Sequence, residues 1–539
     1  FLIAVDGGEG ADDVIAGDAL ASGGEGEATT NNTASAFEGA EGSAGDDYIE
    51  AGAGDDLVSG GTMTSDVFGG DATNNNDATA NDDAVARAGN DTIYGDVGRF
   101  FGAPCILLPY DDGDDSIAGD ALAAGGGALA MANNDAVSHD DALAMAGNDW
   151  IAADSFDGFI GIPVAVQFDG DGGEGGDDVI AGDALATGGE GEALVNNTAT
   201  ADGGEGSLAK AGDDTIFAGG GDDLVSGGSM TSSLRGDDAT TNNLATSNDD
   251  ARARAGNDWI SADGGEGLIV ICDASPVDGD DTVAGDALTV APNTTALARN
   301  DAVSNDDELI RGFAAKAGDD TIFGGNGVNK VGGDTVALSD YGTSRAENTA
   351  YGGNSSAGID RIEVGYNPEN INIGGDGGEG VCETGVPNSQ LSGDALATGY
   401  YGDAFATNRA VENPENEAGV HEAGNDTILA GGGGHTIAGD ALATGYRGNA
   451  IANNNTNATN AAAVAIVGSD LIETGWGDDL ISGDVMATYG GTASLTTDGD
   501  TGAQFTGSSD TINSGFGDDT IAGDALAIGD GGMAVVNGA

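Results

Sequence analysis

Residues 45–58 read Gly-Asp-Asp-Tyr-Ile-Glu-Ala-Gly-Ala-Gly-Asp-Asp-Leu-Val, and within them one short phrase occurs twice, nine residues apart. The phrase is Gly or Ser, then Asp, Asn or Ser, then Asp, any residue, and Ile, Leu or Val. The apolar residue two places after the fixed Asp predicts a turn that leads into a short strand with one inward side chain. Copies of the phrase occur along the whole chain and centre on Asp13, Asp47, Asp56, Asp91, Asp115, Asp149, Asp178, Asp214, Asp223, Asp258, Asp281, Asp320, Asp426, Asp470, Asp479, Asp510 and Asp519.

The composition excludes several classes of protein. The chain has 539 residues, of which 99 are Gly, and its 14 Lys plus Arg against 93 Asp plus Glu give a formal net charge of −79. We expect no nucleic-acid binding, because that needs surface Lys and Arg, and no membrane insertion, because no apolar run approaches the roughly 18 residues of a spanning helix. Frequent glycine disfavours large helical domains, while 39% hydrophobic residues at regular positions argue against disorder.

Some copies of the phrase follow one another at nine residues: Asp47/Asp56, Asp214/Asp223, Asp320/Asn329, Asp426/His435, Asp470/Asp479 and Asp510/Asp519. These tandem copies resemble the RTX, or haemolysin-type, calcium-binding nonapeptide G-G-x-G-x-D-x-U-x. The first Gly is often replaced, as by Ala51, and Asn329 and His435 stand where the pattern has Asp. The resemblance implies that each nonapeptide is a half-turn of a right-handed parallel β-roll. In such a roll the glycines take the tight turns, and the Asp side chains and turn carbonyls bind Ca²⁺.

We therefore predict an all-β fold, an elongated parallel β-solenoid (β-roll) with several calcium ions bound in Gly/Asp-rich turns. The predicted metal ligands are the aspartates on which the copies centre. Self-repulsion at −79 charges opposes a compact state, which favours bound cations as part of the fold. Two alternatives remain at this point: the phrases could be solvated Asp/Gly turns, or the acidic residues could form a salt-adapted surface.

A second motif, Gly-Asp-Ala-Leu, often follows the phrase directly, for example at residues 17–20, 182–185 and 523–526. Its Asp, such as Asp183, is either a second class of ligand or a turn former. Alternating runs such as residues 84–88 predict strands. The step from Asp13 to Asp47 or from Asp56 to Asp91 is 34 or 35 residues (47 − 13; 91 − 56), which we interpret as two turns of roughly 18 residues each.

The chain also repeats over a longer distance, since residues 59–93 match residues 226–260 at an offset of 167 (226 − 59). We predict three solenoid modules: residues 1–165, their internal duplicate at 166–330, and a diverged third module at 331–539. The three histidines show no H-E-x-x-H spacing, and the chain has no G-x-S-x-G motif, so we expect no enzymatic activity.

The predicted function is that of an extracellular calcium-binding structural repeat protein, secreted or on a cell surface, which assembles into a surface layer, sheath or fibril. The alternatives are a calcium-folded RTX region of a larger secreted enzyme or toxin, and an adhesin stalk. The apolar residues 1–5 and 533–537 are not polar caps, which predicts head-to-tail self-association along the solenoid axis. A proteolytic piece of a longer repeat protein would have the same ends. Cell-surface polysaccharide is a further candidate partner.

Overall fold

A computed structural model describes most of the chain. It describes residues 4–6, 14–22, 27–37, 39–51, 57–65, 71–82, 84–99, 115–124, 129–140, 142–157, 178–187, 192–202, 207–219, 223–232, 238–248, 251–263, 281–290, 294–304, 315–323, 329–338, 341, 343–352, 355–364, 389–398, 401, 403–411, 420–430, 434–444, 447, 449–457, 464–475, 477–488, 492–499, 504–507, 509–528 and 533–538. All the regular elements in these ranges are strands. No helix in these ranges is long and apolar enough to cross a membrane.

The strands form five parallel sheets, which the chain visits in a fixed order and then visits again one level further along. We number the sheets in the order in which the chain enters them. Sheet 1 contains Ala4–Asp6, Tyr48–Glu50, Thr92–Arg99, Trp150–Asp157, Thr215–Gly219, Trp259–Asp263, Thr321–Phe323, Arg361–Val364, Thr427–Ala430, Leu471–Glu473 and Thr511–Asn513. Sheet 2 contains Val14–Ala16, Leu57–Ser59, Ser116–Ala118, Val179–Ala181, Leu224–Ser226, Thr282–Ala284, Lys330–Gly332, Gln390–Ser392, Thr436–Ala438, Leu480–Ser482 and Thr520–Ala522.

The remaining three sheets complete each coil. Sheet 3 contains Ala19–Ser22, Thr62–Ser65, Ala121–Ala124, Ala184–Thr187, Ser229–Ser232, Ala287–Thr289, Thr335–Leu338, Ala395–Thr398, Ala441–Thr444, Val485–Ala487 and Ala525–Ala527. Sheet 4 contains Ala28–Phe37, Ala72–Asn81, Leu129–His139, Glu192–Asp202, Ala239–Ser247, Thr295–Ser304, Thr343–Gly352, Asp403–Val411, Asn449–Asn457, Thr492–Gly499 and Met533–Gly538. Sheet 5 contains Glu41–Ala44, Val85–Ala88, Leu143–Ala146, Leu208–Ala211, Arg252–Ala255, Ala315–Ala317, Ser355–Ala357, Val420–Ala423, Val464–Val467 and Gln504–Gly507.

The predicted parallel β-solenoid is confirmed, but the predicted coil is wrong. Equivalent aspartates in successive coils are 40 to 66 residues apart, not about 18. The tandem copies Asp214 and Asp223 precede strands of sheets 1 and 2 in one coil, so nine residues turn one corner of a five-sided coil rather than half a turn. The segments between the phrases are not extra coils. They form sheets 3, 4 and 5 of the same coil, and sheet 4 strands of about ten residues make it long.

The core is layered by side-chain size. Ile and Val of sheets 1 and 2, such as Ile93 and Ile117, pack in one cluster along the axis. Leu and Met of sheet 3, such as Leu122, form a second cluster with alanines of sheet 2. The apolar cluster between sheets 4 and 5 consists of alanines, such as Ala78 and Ala86. Alanine permits these two sheets to approach closely. The strand predicted at residues 84–88 is confirmed as Val85–Ala88 of sheet 5.

Candidate metal centre

The fixed aspartate of the phrase forms a ladder where the chain enters sheet 1. The backbone N–H of Asp47 donates to Oδ1 of Asp91 at 2.7 Å, and Asp91 donates in the same way to Asp149 at 2.7 Å. The pattern continues without interruption to Asp510. We call this the first ladder; its members are Asp47, Asp91, Asp149, Asp214, Asp258, Asp320, Asp360, Asp426, Asp470 and Asp510. Those from Asp47 to Asp470 are buried.

Only one oxygen of each first-ladder carboxylate takes part in these bonds. Oδ2 is buried and accepts no hydrogen bond within the described part of the chain in Asp91, Asp149, Asp214, Asp320, Asp360, Asp426 and Asp470. A buried carboxylate oxygen without a partner is costly unless a cation or a proton compensates for its charge. Burial, and then the charge of Asp120, raise the pKa of Asp91 well above its ordinary value. Either cations or protons must therefore neutralise this row.

A second ladder runs where the chain enters sheet 2, and it is not made of Asp throughout. Asp115, Asp178, Asp223 and Asp281 are linked as in the first ladder at 2.8–3.1 Å, and Asp281 N–H then donates to Oδ1 of Asn329. Asn329 N–H donates to Oγ of Ser389, and the next coil has His435 before Asp479 and Asp519. All of these except Asp519 are buried. The second ladder thus continues without a carboxylate through three successive coils.

The residue before the fixed Asp is most often Asp or Asn, and its hydrogen bonds explain why both occur. Asn90 N–H donates to Oδ1 of Asp46, and Asn148 N–H donates to Oδ1 of Asn90. Either side chain provides that oxygen, and Asn additionally donates to a backbone carbonyl, as Asn148 does to Ala146. These side chains are only partly buried, so a charge is not required here.

The aspartates before sheet 3 form a third ladder. Its members are Asp18, Asp120, Asp183, Asp286, Asp334, Asp394, Asp440, Asp484 and Asp524, with Gly61 and Gly228 at the same register in two coils. Those from Asp120 to Asp484 are completely buried.

Most third-ladder aspartates belong to the Gly-Asp-Ala-Leu motif, and the structure explains each residue of that motif. A Cβ on Gly119 would overlap Oδ2 of Asp149 and the carbonyl oxygen of Gly182, so only glycine fits there. The following Ala and Leu are core residues.

An asparagine ladder on sheet 4 holds the third ladder in place. Asn76 Nδ2 donates to Oδ1 of Asp120 at 2.6 Å and to Oδ1 of Asn134 at 3.0 Å. Asn300 Nδ2 donates to Oδ2 of Asp286, Oδ1 of Asp334 and Oδ1 of Asn348. The ladder consists of Asn32, Asn76, Asn134, Asn197, Asn243, Asn300, Asn348, Asn408 and Asn454.

The asparagine ladder also explains the glycine that opens the phrase. Gly89 and Gly147 have φ of 57° and 53°, in the left-handed region that favours glycine. A Cβ on Gly89 would overlap the Asn76 side chain, and one on Gly147 would overlap Asn134. The opening Gly therefore lies directly over the asparagine ladder.

The first and third ladders meet inside the solenoid. One carboxylate oxygen from each of Asp91, Asp120 and Asp149 lies within 4.8 Å of the others. The same arrangement recurs at Asp258/Asp286/Asp320, Asp320/Asp334/Asp360 and Asp360/Asp394/Asp426, whereas Asp484/Asp510/Asp524 combines one first-ladder aspartate with two third-ladder aspartates. Hard oxygen ligands in such groups fit Ca²⁺, which takes 6–8 oxygens from carboxylates, carbonyls and water. Burial raises the pKa of Asp120 to about 6 and that of Asp286 to about 7.

The predicted ligands fall into two sets. Asp47, Asp91, Asp149, Asp214, Asp258, Asp320, Asp426, Asp470 and Asp510 belong to the first ladder, and Asp115, Asp178, Asp223, Asp281, Asp479 and Asp519 belong to the second. Asp13 and Asp56 lie outside the described residues. The described ladder aspartates between the terminal coils are buried, which is opposite to what solvated turns or a salt-adapted surface would require.

The sequence prediction missed three groups of residues. Asp360 was overlooked because Ile359 precedes it, although the register from Asp320 and the apolar Ile362 could have identified it. For the third-ladder aspartates, the sequence does not distinguish a metal ligand from a turn former. The asparagine ladder was not recognised, although Asn follows the third-ladder Asp by 14 residues in Asp183/Asn197 and Asp286/Asn300.

Comparison with known proteins agrees with this geometry. The model of the RTX calcium-binding nonapeptide repeat matches residues 40–62, 78–99, 208–229, 245–266, 313–335, 467–485 and 506–525. The match at 208–229 includes Leu208–Ala211 of sheet 5, Thr215–Gly219 of sheet 1 and Leu224–Ser226 of sheet 2. The asparagine ladder lies outside every matched segment. No curated protein and no solved structure matches the chain. The chain thus contains RTX calcium-binding nonapeptide repeats, carried on a parallel β-solenoid.

Proposed function

We propose that this chain is an extracellular, calcium-folded structural protein that assembles end to end into a surface layer, sheath or fibril. The observation that carries the proposal is the continuity of the coil: strands from Ala4–Asp6 to Met533–Gly538 all belong to the same five sheets. RTX repeats occur in secreted proteins, which supports an extracellular location. A structural rather than catalytic role fits ladders in which each carboxylate has equivalents in neighbouring coils.

In the proposed self-association one coil stacks on another, as successive coils of this chain do. Leu20 is 47% exposed, whereas Met63, its partner in the next coil, is completely buried. At the other end Ile521 is 49% exposed, whereas its partner Ile481 is completely buried. In the proposed assembly, a coil of a second copy would cover such positions and pair the strand edges in the same way as a neighbouring coil of one chain does. Such a contact is heterologous and propagates without closing, which produces a filament.

Electron microscopy and sedimentation of the purified protein, with and without calcium, test the assembly. We expect filaments in saturating calcium, and dispersed particles for Ile521→Lys, which charges the exposed end. Val137→Lys, at a partly buried outward position in the middle of sheet 4, is the control for added charge alone. Monomers at high protein concentration in saturating calcium would contradict the proposal. A catalytic, pore-forming or ligand-binding domain in the full-length gene would favour the toxin, enzyme or adhesin alternative.

A further inference from the structure

The interior of the solenoid contains a polar row in which first-ladder aspartates lie close to third-ladder aspartates. Asp91, Asp120 and Asp149 are at most 2% exposed, and Oδ2 of all three is buried with no hydrogen-bond partner within the described residues. One oxygen from each lies within 4.8 Å of the others. Three buried carboxylates that converge in a dry core, each with one oxygen that accepts no hydrogen bond, need positive charge between them.

The donors around this row leave its charge uncompensated. Asp120 Oδ1 accepts from Asn74 and Asn76, and Oδ1 of Asp91 and Asp149 accepts backbone N–H groups. All these donors are neutral. Where the third ladder has Asp, each coil adds one carboxylate from the first ladder and one from the third. One divalent cation per coil therefore balances the charge of the row.

The chain itself varies the third ladder in a coordinated manner. Where the third ladder has Asp120, Asp286 or Asp334, the facing residue of sheet 4 is alanine: Ala132, Ala298 and Ala346. Where the third ladder has Gly61 or Gly228, the same column of sheet 4 has Asn74 or Thr241.

These two polar residues fill the place of the absent carboxylate. A Cβ on Gly61 would overlap the Asn74 side chain, and Thr241 Oγ1 lies next to Gly228 and donates to the carbonyl oxygen of Asp286. In the coils of the third ladder that follow Asp18, an Asp occurs with an apolar residue in this column, including Val195 and Leu495, and a Gly occurs with a neutral polar residue; Asp18 in the first coil occurs with Thr30. Charge and space in the row change together, as in a site with an occupant.

We propose that the solenoid encloses an axial row of dehydrated divalent-cation sites, each formed by two successive first-ladder aspartates and one third-ladder aspartate, and that Gly61 and Gly228 interrupt this row. Calcium is the ion that hard oxygen ligands of this kind favour. The inference rests on the proposed calcium-dependent fold, but it adds to the fixed Asp of the phrase a further ligand from the third ladder, such as Asp120.

The test is the number of calcium ions bound per full-length chain at pH 7.5, measured by elemental analysis after equilibrium dialysis. Asp120→Asn and Asp286→Asn keep the shape and remove one carboxylate each, and Asp77→Asn is the control, because Asp77 is exposed on sheet 4 beside Asn76. We expect one ion fewer for each single variant, two fewer for the double variant, and no loss for the control. Terbium bound in place of calcium should show a luminescence lifetime typical of few coordinated waters, and lose that population in the double variant.

Two outcomes separate this inference from the proposed function. A wild-type protein that binds no calcium would overturn both. A wild-type protein that needs calcium to fold, together with folded variants that bind the full number of ions, would overturn the axial row alone and assign its neutralisation to protons. An amide resembles a protonated carboxyl group, so failure of both variants to fold in calcium would contradict neutralisation by protons and support the row.

Discussion

The first and second ladders place the same phrase in two surroundings. Both link successive coils through a backbone N–H that donates to a side-chain oxygen. The second ladder continues this with Asn329 and Ser389, so the hydrogen bond alone does not require a charge. The first ladder has Asp in every coil from Asp47 to Asp510. The difference indicates that the first ladder's aspartates have a second role, since they form groups of three carboxylates with aspartates of the third ladder.

The largest expected effect is on the whole fold and separates calcium from protons. Burial raises the pKa of Asp120 to about 6 and the pKa of Asp286 and Asp510 to about 7. Without calcium, the folded state holds protons that the unfolded chain releases, so stability is present below the ordinary pKa of about 4 and is lost as pH rises through 6–7. We expect the calcium-free protein to lose its β-type circular dichroism at pH 8 and to keep it near pH 5.

Calcium added at pH 8 should restore the signal, because metal binding becomes folding free energy. The control is the calcium-saturated protein at both pH values. An unchanged β signal at pH 8 and low ionic strength, in excess chelator, would show that neither the first nor the third ladder depends on a cation.

The next effect tests how closely the first ladder approaches the third. Gly119→Ala places a methyl group on Oδ2 of Asp149 and on the carbonyl oxygen of Gly182. We expect a loss of about 3 kcal/mol in the free energy of unfolding, measured by denaturant titration in calcium. Gly523→Ala alters the same tetrad in the last coil, where nothing lies within 4 Å of the added atom, and should change stability by less than about 0.5 kcal/mol in the monomeric protein. Equal losses of stability for Gly119→Ala and Gly523→Ala would contradict the close contact of Gly119 with Asp149 and Gly182.

A direct comparison of the ladders uses Asp149→Asn and Asp178→Asn. Each variant retains the Oδ1 that accepts a backbone N–H, from Asp91 or from Asp115. We expect Asp149→Asn to cost about 2 kcal/mol in calcium, since it removes one ligand of a three-carboxylate group. Asp178→Asn should cost less than about 1 kcal/mol, because the chain already has Asn329 in that ladder. Thermal unfolding in saturating calcium measures both, and the reverse order would contradict the assignment of ions to the first ladder.

The smallest expected effect lies within one phrase. Asp46 is partly exposed and accepts a hydrogen bond from Asn90 N–H at 3.3 Å, a role that Asn90 itself fills for Asn148. Asp46→Asn should change stability and calcium affinity by less than about 0.5 kcal/mol, whereas Asp91→Asn, at the fixed Asp of the next first-ladder copy, should weaken calcium binding measurably by calorimetry. Identical affinities for the two variants would mean that the fixed acid is misassigned.

Local patterns were enough to predict the class of fold, the strands and most of the ladder aspartates. The Asp-x-apolar spacing depends on alternation along a strand, which is a local property. Runs such as residues 84–88 alternate in the same way. Asp360 was not predicted, because the preceding residue, Ile359, does not fit the phrase. In the structure Asp360 nevertheless occupies the first ladder, where it accepts the backbone N–H of Asp320.

The sequence by itself determined that this chain is a repetitive, acidic, parallel β-solenoid with buried apolar positions two residues after each fixed Asp. Only the tertiary structure decided how many strands make a coil and which carboxylates face each other. A nine-residue spacing fits a half-turn of a small coil as well as one corner of a larger one, so it cannot set the coil length. Asp91, Asp120 and Asp149 are distant in sequence, and Asn76 precedes all three. Asp91 and Asp120 become neighbours because one coil closes around the core, and Asp149 joins them because stacking in register brings equivalent positions of successive coils together.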